Sequence, residues 1–404
     1  MAEMRKQFWT PRRQRVYPRI VLVLTIVWPL LFFAYSWNSE ANAGRTYGGD
    51  FIAYSAAGKL AAEGHPSRAY EDQAIYEAEL RIGTPRGLVP FHYPPPFLAL
   101  SRGLAMLGFP VSLVVWLGVT GLLFAAVVAS TPRRFSARSA LLVMPAAIVN
   151  FGFGQNGFLT AAILGFALTS ITTRPVFAGL LLGLLVYKPQ FLPLILLVLV
   201  ATGMWRTLFA AALSGALLAG LSALVLGASV WRTYVLDVPD AYEVLTQTGS
   251  WDKMTTLYSS LRLAAVPGPL IQTLSFGLIA ATSVAVVRIW RSEATHAAKA
   301  AALMIGVLLA TPYAFSYDLT IASIGAIWLV QETATNGRSH LDRLAIALLA
   351  LNPLIVTHLA KVGPLQFGWV PLVLALSILL VRTTRSRATT FRTEPNPETA
   401  LAAS

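Results

Sequence analysis

Cysteine is absent and charged residues are scarce in this sequence of 404 residues. Without cysteine the chain can form no disulfide, no thiol nucleophile and no thiolate metal site. Charged residues make up 12% of the chain and apolar residues 56%, whereas a typical soluble domain is about 25% charged. A water-facing surface cannot hide so much apolar area, so the composition predicts a protein embedded in a membrane.

Nucleotide- and metal-binding motifs are also missing. The sequence contains no GxxxxGK[ST] loop, no HExxH pair and no Asp-x-Asp pair, and the Gly-Phe-Gly at 152–154 does not continue as GxGxxG. These absences count against an ATP-driven pump and a nucleotide-sugar enzyme, and nothing in the sequence requires a metal or a cofactor. The net charge of +13 does not indicate nucleic acid as a partner, because the basic residues lie between apolar segments.

Apolar segments recur along the chain. A spanning helix needs about 20 apolar residues, and the pattern predicts an all-α polytopic membrane protein with about twelve transmembrane helices. The predicted spans are 19–37, 110–130, 139–152, 156–172, 175–187, 190–203, 207–227, 265–290, 297–313, 317–332, 341–359 and 364–382.

Polar segments flank and interrupt the membrane body, which we predict at 19–384. A basic cytoplasmic arm at 1–18 precedes it, and a cytoplasmic tail at 385–404, basic and then rich in proline and threonine, is predicted to be disordered. Inside the body, a first outer loop extends over 38–109 and a long outer loop over 228–263.

The distribution of charge orients these segments. With the twelve predicted spans, the cytoplasmic side holds about two thirds of the 31 lysines and arginines but only a third of the 18 acidic residues. Cytoplasmic loops are expected to be rich in basic residues. We therefore predict a multi-pass protein of the cell (inner or plasma) membrane with both ends in the cytoplasm.

The first outer loop is predicted to contain two short helices that lie along the membrane surface. Apolar residues recur at three-residue steps in Phe51–Leu60, and the segment 71–82 places apolar residues beside five charged ones. Three prolines then forbid a regular helix start before Pro96. The apolar run 97–107 is short for a span and predicts a half-buried segment on the outer side.

Polar clusters lie at the predicted outer ends of spans. Ionisable groups near membrane depth are expensive, so a functional role is the first hypothesis for them. Because the clusters come from distant parts of the chain yet share one side and a similar depth, we expect them to line a single outward-facing cavity. The clusters are Gly48–Phe51, Phe91–Pro96, Gly154–Gly157, Tyr187–Gln190 and Thr311–Asp318.

Each cluster also has a purely structural interpretation. Asp50 can cap the helix that follows it, and Asp318 can cap a later one. Lys188 can snorkel to the interface, and His92 can be a packed interfacial ring. The Gln155–Asn156 pair can be a simple turn between two spans.

The order of the motifs GGDF, AYSAAGKLAAEGHPSRAY, FHYPPPF, GQNG, YKPQ and TPYAFSYD resembles glycosyltransferase family 87 over roughly 45–320. The family comprises integral-membrane enzymes of the GT-C superfamily and includes mannosyltransferases that depend on polyprenol-phosphate mannose. The resemblance implies a GT-C-like helix bundle and an inverting transfer of a sugar from a polyprenyl phosphate to an acceptor hydroxyl. It also implies that Asp50, in the first outer loop, is the general base. The segment Tyr313–Asp318 departs most from the family's pattern.

A mechanism can be written for these residues as a hypothesis. Inversion by a single displacement needs one general base, here Asp50, and no carboxylate pair. The leaving lipid phosphate needs cationic or hydrogen-bonding partners but no second acid. The candidates for binding the donor phosphate or the substrate, with the lysine first, are Lys188, His92, Gln155, Tyr93, Asn156, Gln190 and Arg262.

The expected partners are a polyprenyl-phosphate-linked sugar, a glycolipid or glycan acceptor, and membrane lipids. The sugar is mannose or another hexose or pentose, and the reaction is expected on the extracytoplasmic face. Two other functions also fit parts of the pattern. A lipid or small-molecule transporter or flippase fits twelve spans equally well, although no internal repeat is visible. A polymerase or ligase of surface polysaccharide also uses lipid-linked donors, although the Arg-rich outer loops that would favour it are missing.

Overall fold

The computed structural model describes residues 48–83, 87–131, 137–237, 250–335, 337–363 and 366–392. Over these ranges the chain is helical and contains no strand, and one isolated bridge pairs Met254 with Phe315. The predicted all-α class is therefore confirmed. The predicted arm at 1–18, the first predicted span at 19–37 and the end of the tail from 393 onward lie outside the described residues.

The first outer loop folds into three short helices with a 3₁₀ turn between the first two. They are α1 (Phe51–Ala62), α2 (Asp72–Leu80) and α3 (Pro95–Ala105), and the turn is Pro66–Tyr70. Helix α3 begins at Pro95, one residue earlier than predicted. The amide groups of the first helical turn need no partner within the helix, so proline is accepted there.

Helix α1 was predicted to lie along the membrane surface with one apolar face. In the structure ten of its twelve residues are buried, so this prediction is wrong. It packs against α3 so closely that a Cβ atom on Gly58 would come within 2.2 Å of the carbonyl oxygen of Ser101. The three-residue apolar pattern indicated a single stripe, but the alanine, glycine and serine residues between the large ones let the opposite face pack as well. Helix α2, by contrast, buries one face only.

The rest of the described chain forms a bundle of helices of unequal length. Its first half contains α4 (Phe109–Ser130), α5 (Ala137–Phe153), α6 (Gly157–Ser170), α7 (Pro175–Gly183), α8 (Leu192–Ala201) and α9 (Trp205–Leu226), followed by a helical segment at 229–237. Its second half contains α10 (Leu257–Leu263), α11 (Gly268–Trp290), α12 (His296–Leu309), α13 (Leu319–Thr335), α14 (His340–Val362) and α15 (Trp369–Arg392).

Among the described helices, α4, α9 and α11 are long and apolar enough to cross a membrane, and six shorter apolar helices accompany them. Large apolar side chains are exposed on these three, including Leu122, Phe209, Leu224 and Phe276. So much exposed apolar surface suits a lipid environment. Every predicted span from 110 onward has a helix at its place, whereas the number of twelve spans stays a prediction. Helix α15 runs to Arg392, eight residues past the predicted end of the body.

Two features of the bundle position the loops between its helices. Helices α12 and α13 are buried on nearly all sides and form its centre. Helix α7 meets α9 through Gly179 and Gly183, where a Cβ atom would come within 2.3 Å of the carbonyl oxygens of Thr207 and Ala211. Small residues four apart let two membrane helices approach closely. This contact fixes the end of α7 and therefore the polar break that follows it.

Candidate active site

One cavity of about 410 Å³ collects most of the predicted site residues. Its wall comes from the start of α1, the segment before α3, the α5–α6 loop, the break between α7 and α8, the helical segment 229–237, the loop at Lys253 and the segment before α13. The predicted residues in this wall are Asp50, His92, Tyr93, Gln155, Lys188 and Gln190. The expectation that distant polar clusters meet at a single cavity is confirmed, and the side of the membrane to which the cavity opens stays a prediction.

A contact between two glycine-containing turns holds Asp50 in place. The backbone N–H of Asp50 donates a hydrogen bond to the carbonyl oxygen of Phe153 at 2.9 Å. Gly154, the next residue, has a φ of +64°, and a Cβ atom there would come within 2.3 Å of the carbonyl oxygen of Gly48. Glycine is therefore needed at this position for its backbone conformation and for the close approach. The motifs GGD and GQN fit against each other in this way.

Asp50 occupies the N-cap position of α1, but its side chain accepts no hydrogen bond from that helix. The capping interpretation of this carboxylate is therefore wrong. Its Oδ2 instead accepts a hydrogen bond from Nε2 of Gln155 at 2.9 Å, across 105 residues of sequence. An amide partner orients the half-buried carboxylate without neutralising its charge.

Gln155 is itself oriented by two tyrosines. Its Oε1 accepts hydrogen bonds from the hydroxyl groups of Tyr54 and Tyr93, and from the backbone N–H of Asn156 at 3.3 Å. Because Oε1 takes these donors, the amide nitrogen is the atom that faces Asp50. Burial raises the pKa of Tyr54 well above its ordinary value, so this hydroxyl stays protonated and can donate.

An aromatic layer supports these polar groups from behind. The FHYPPPF motif contributes Tyr93 and Phe97, whose ring centroids are 4.6 Å apart. The Phe97 ring also contacts Tyr54 at 4.8 Å and Tyr187 at 5.3 Å. Trp116 donates from its indole nitrogen to the carbonyl oxygen of Gly154 at 3.1 Å. Rings held by several neighbours give the glutamine and the carboxylate a rigid base.

Lys188 points into the protein and does not snorkel to an interface, so that interpretation is wrong. Its side chain is 3% exposed, and its Nζ lies 2.5 Å from Oδ1 of Asp318. Asp318 is held in turn by the backbone N–H of Phe315, which donates to its Oδ2 at 3.1 Å. The ammonium also lies 5.3 Å from the ring centroid of Tyr317. The positive charge of Lys188, which was predicted to bind the donor phosphate, is thus already compensated by the buried carboxylate of Asp318.

His92 faces a second acidic residue across the cavity wall. Its Nδ1 lies 3.7 Å from Oδ2 of Asp237, at the end of the helical segment 229–237. Tyr234, one turn earlier, also lines the cavity. Burial, with a contribution from Asp237, raises the pKa of Tyr234 to about 12. His92 thus lies near an aspartate, but neither of its ring nitrogens makes a hydrogen bond to a residue that the structure describes. Both its interpretation as a packed ring and its role at the substrate stay predictions.

Two predicted site residues do not line the cavity. Asn156 is fully buried at the N-cap of α6, behind the wall. The guanidinium of Arg262 lies over the rings of Trp251 and Tyr258, at 5.9 and 5.6 Å from their centroids, and donates to the Tyr258 hydroxyl. A role for Arg262 at the donor phosphate has no support from this geometry.

Several polar residues of the wall were not among the predicted site residues, and five of them lie in or after the long outer loop: Tyr234, Asp237, Lys253, Tyr317 and Asp318. Tyr317 and Asp318 carried a signal, since they end the polar cluster before α13. The others lie in or near the long outer loop, where no motif distinguishes them. In the described part of the chain, no three His, Asp or Glu side chains are grouped so that they could hold a metal ion.

Glu79 lies behind the wall and is fully buried. Its Oε2 accepts a hydrogen bond from the backbone N–H of Val89 at 3.2 Å, and Val89 lines the cavity. Burial raises the pKa of Glu79 to about 8. The loop before His92 is thus attached to a carboxyl group whose protonation changes near neutral pH.

Comparison with known families gives one match. A family model described as glycosyltransferase family 87 matches residues 91–312. The matched segment contains every wall residue from His92 to Lys253, whereas Asp50 precedes it. No curated protein and no solved structure matches the chain.

Proposed function

Since the chain belongs to glycosyltransferase family 87, we propose that it transfers a sugar from a polyprenyl-phosphate donor to a hydroxyl group of a glycolipid or glycan. The sugar is mannose or another hexose or pentose, and the reaction inverts the anomeric centre on the extracytoplasmic face of the cell membrane. Family membership favours this enzyme over a transporter or flippase, whose function involves no sugar transfer.

The observation that carries the proposal is the hydrogen bond between Gln155 and Asp50 at the cavity wall. A general base needs a fixed position and an available negative charge. The amide of Gln155 fixes the position of the Asp50 carboxylate and leaves its negative charge uncompensated. The other wall aspartates differ, because Asp318 is paired with Lys188 and Asp237 faces His92.

The proposed step is a single displacement with one base. The acceptor oxygen attacks the anomeric carbon, the bond from that carbon to the phosphate oxygen breaks, and Asp50 takes the hydroxyl proton. The leaving polyprenyl phosphate keeps the electron pair and needs no proton. Because the attack and the departure occur on opposite faces of the sugar, the configuration inverts.

The size and surroundings of the cavity support a lipid-linked donor. A volume of about 410 Å³ lies within the usual range for small-molecule sites and has room for a sugar and a phosphate. Leu100, Met106 and Leu107 in and after α3 are exposed apolar residues next to the motif that supplies His92 and Tyr93. A polyprenyl chain can lie against such a surface while its phosphate reaches the cavity.

Lys188 stays in the proposal as a hydrogen-bond donor, because it lines the cavity and an ammonium has three donors. The extracytoplasmic face is supported by the distribution of basic residues between the predicted loops. The cytoplasmic arm at 1–18 and the tail at 385–404 belong to the same proposed topology.

The test is a donor screen with the purified full-length protein in detergent and membrane extract as the source of acceptor. Several polyprenyl-phosphate sugars are supplied, and products are identified by mass. Asp50→Asn keeps the side-chain shape and an oxygen for Gln155, and we expect it to lower turnover about 10²–10⁴-fold, the usual contribution of a general base.

Asp72→Asn is the matched control, because Asp72 is exposed at the start of α2 and does not line the cavity. It should retain wild-type turnover. Turnover by Asp50→Asn within a few-fold of the wild type would remove the base assignment. If no lipid-linked sugar is consumed, the donor class is wrong, and transfer of a whole chain would indicate a polymerase or ligase.

A further inference from the structure

The basic side chains of the cavity differ in whether an acidic side chain already lies next to them. Lys188 is paired with Asp318, and His92 faces Asp237. Lys253 lines the same cavity, and no acidic side chain lies within 4 Å of its ammonium in the described part of the chain. Its Nζ instead lies 5.6 Å from the ring centroid of Phe153.

This ring places Lys253 beside the loop that holds the proposed base. The carbonyl oxygen of Phe153 accepts the backbone N–H of Asp50, and Gln155 follows two residues later. A cation over an aromatic face is stabilised by the ring without losing its charge. The ammonium of Lys253 is therefore held beside the Asp50 loop by a neutral partner and keeps its charge.

The backbone of Lys253 is fixed by hydrogen bonds to the loop before α13. Its carbonyl oxygen accepts the backbone N–H of Ser316 at 2.9 Å, and the backbone N–H of Thr255 donates to Ala314 at 2.8 Å. Between them, Met254 is 1% exposed and pairs with Phe315. The Cα of Lys253 therefore has a fixed position in the cavity wall.

We propose that Lys253 is the cation that compensates the charge developing on the donor's phosphate. This inference rests on the proposed function. A polyprenyl-phosphate sugar is a phosphodiester with one negative charge. When the bond from the anomeric carbon to the phosphate oxygen breaks, its electron pair stays on that oxygen, and the leaving phosphate monoester gains a second negative charge. The neutral Lys188–Asp318 pair can donate hydrogen bonds to this group but adds no net positive charge.

The chemistry predicts different effects on the substrate and on the product. Loss of Lys253 should weaken the binding of free polyprenyl phosphate more than that of the sugar donor, since the product carries more charge. A residue with a merely structural role would weaken both equally or neither. Turnover should fall about 10²-fold, as it does when one fixed group that stabilises transition-state charge is removed.

The experiment uses the full-length protein with Lys253→Met, which keeps the apolar stem, and Lys253→Arg, which keeps the charge. Lys299→Met is the matched control, because Lys299 lies on α12 and does not line the cavity. Thermal melting first establishes that each variant is folded. Binding of polyprenyl phosphate is then measured by the quenching of tryptophan fluorescence, and KM and kcat are measured with the donor found in the screen.

We expect Lys253→Met to bind polyprenyl phosphate at least tenfold more weakly with a smaller rise in KM, Lys253→Arg to recover most of the loss, and Lys299→Met to match the wild type. If Lys253→Met binds polyprenyl phosphate as tightly as the wild type, the inference is overturned while the proposed function stands. If the wild type neither binds polyprenyl phosphate nor consumes its sugars, both are overturned.

Discussion

The two carboxylates of Asp50 and Asp318 line the same cavity but have opposite kinds of partner. Asp318 is 1% exposed and bonded to the ammonium of Lys188, whereas Asp50 is half-buried and bonded to the neutral amide of Gln155. An ionic partner compensates the charge of a carboxylate, and an amide only orients it. The difference separates a structural pair from a group that can accept a proton from a substrate.

The largest loss of stability should come from breaking the ion pair between Lys188 and Asp318. Lys188→Ala leaves the carboxylate of Asp318 buried without its cation, and removing one partner of a buried pair costs about 3–5 kcal/mol. We expect a loss of folded protein and a much lower melting temperature in detergent, alongside any loss of turnover. Activity alone is therefore a poor measure of the role of Lys188.

The double variant Lys188→Met with Asp318→Leu provides the control, since it removes both charges together. It should melt closer to the wild type than either single change does. If Lys188→Ala melts like the wild type, the pair does not contribute in the way described, and the phosphate role for Lys188 becomes the stronger interpretation.

A third carboxylate extends the comparison, because Glu79 has a backbone N–H as its hydrogen-bond partner. Its pKa is raised by burial from 4.5 to about 8. A raised pKa means that the folded state holds the proton more tightly than the unfolded state. The stabilisation from Glu79 is therefore complete below about pH 4.5 and is lost as the pH rises through 8.

Glu79→Gln should remove this pH dependence. Between pH 6 and 8 the wild type should lose about 2 kcal/mol of stability relative to the variant, since each pKa unit corresponds to about 1.4 kcal/mol. Melting curves across this range measure the difference. Parallel curves for the two proteins would mean that Glu79 does not titrate in this window.

The smallest effect should come from removing the neutral partner of Asp50. Gln155→Leu removes the hydrogen bond to Asp50, which typically contributes about 0.5–1.5 kcal/mol, together with the three that its Oε1 accepts. From the loss of the bond to Asp50 we expect kcat to fall about tenfold with little change in KM. Gln73→Leu on the exposed face of α2 is the matched control. An unchanged kcat for Gln155→Leu would mean that Asp50 is positioned by its backbone alone.

The helical class and the meeting of the polar clusters were both predictable from the sequence. Hydropathy determines helices, and a shared depth at the ends of helices brings the loops of Gly154–Gly157 and Tyr187–Gln190 together. The partners of individual charges were not predictable. Lys188 and Asp318 are 130 residues apart, and their pairing depends on how α7, α8 and α13 pack.

The spacing of apolar residues gave a wrong prediction for α1, which is rich in small residues. The large apolar residues of α1 indicated a surface helix, but the alanines and Gly58 between them allow it to be buried against α3. Lys253 gave no signal because its neighbours in sequence are unremarkable. The role proposed for it depends on its contact with the ring of Phe153, a hundred residues earlier in the chain.

The hydrogen bonds between residues 253–255 and 314–316 join two walls of the cavity into one mechanical unit. The proposed lipid-linked sugar would have to reach the reaction site without separating these walls, or would have to displace both at once. In the second case, Lys253 and Asp318 would leave together, and the pocket would lose its phosphate-compensating charge while Lys188 lost its partner. Entry of the donor and rearrangement of the local charges would then be a single event.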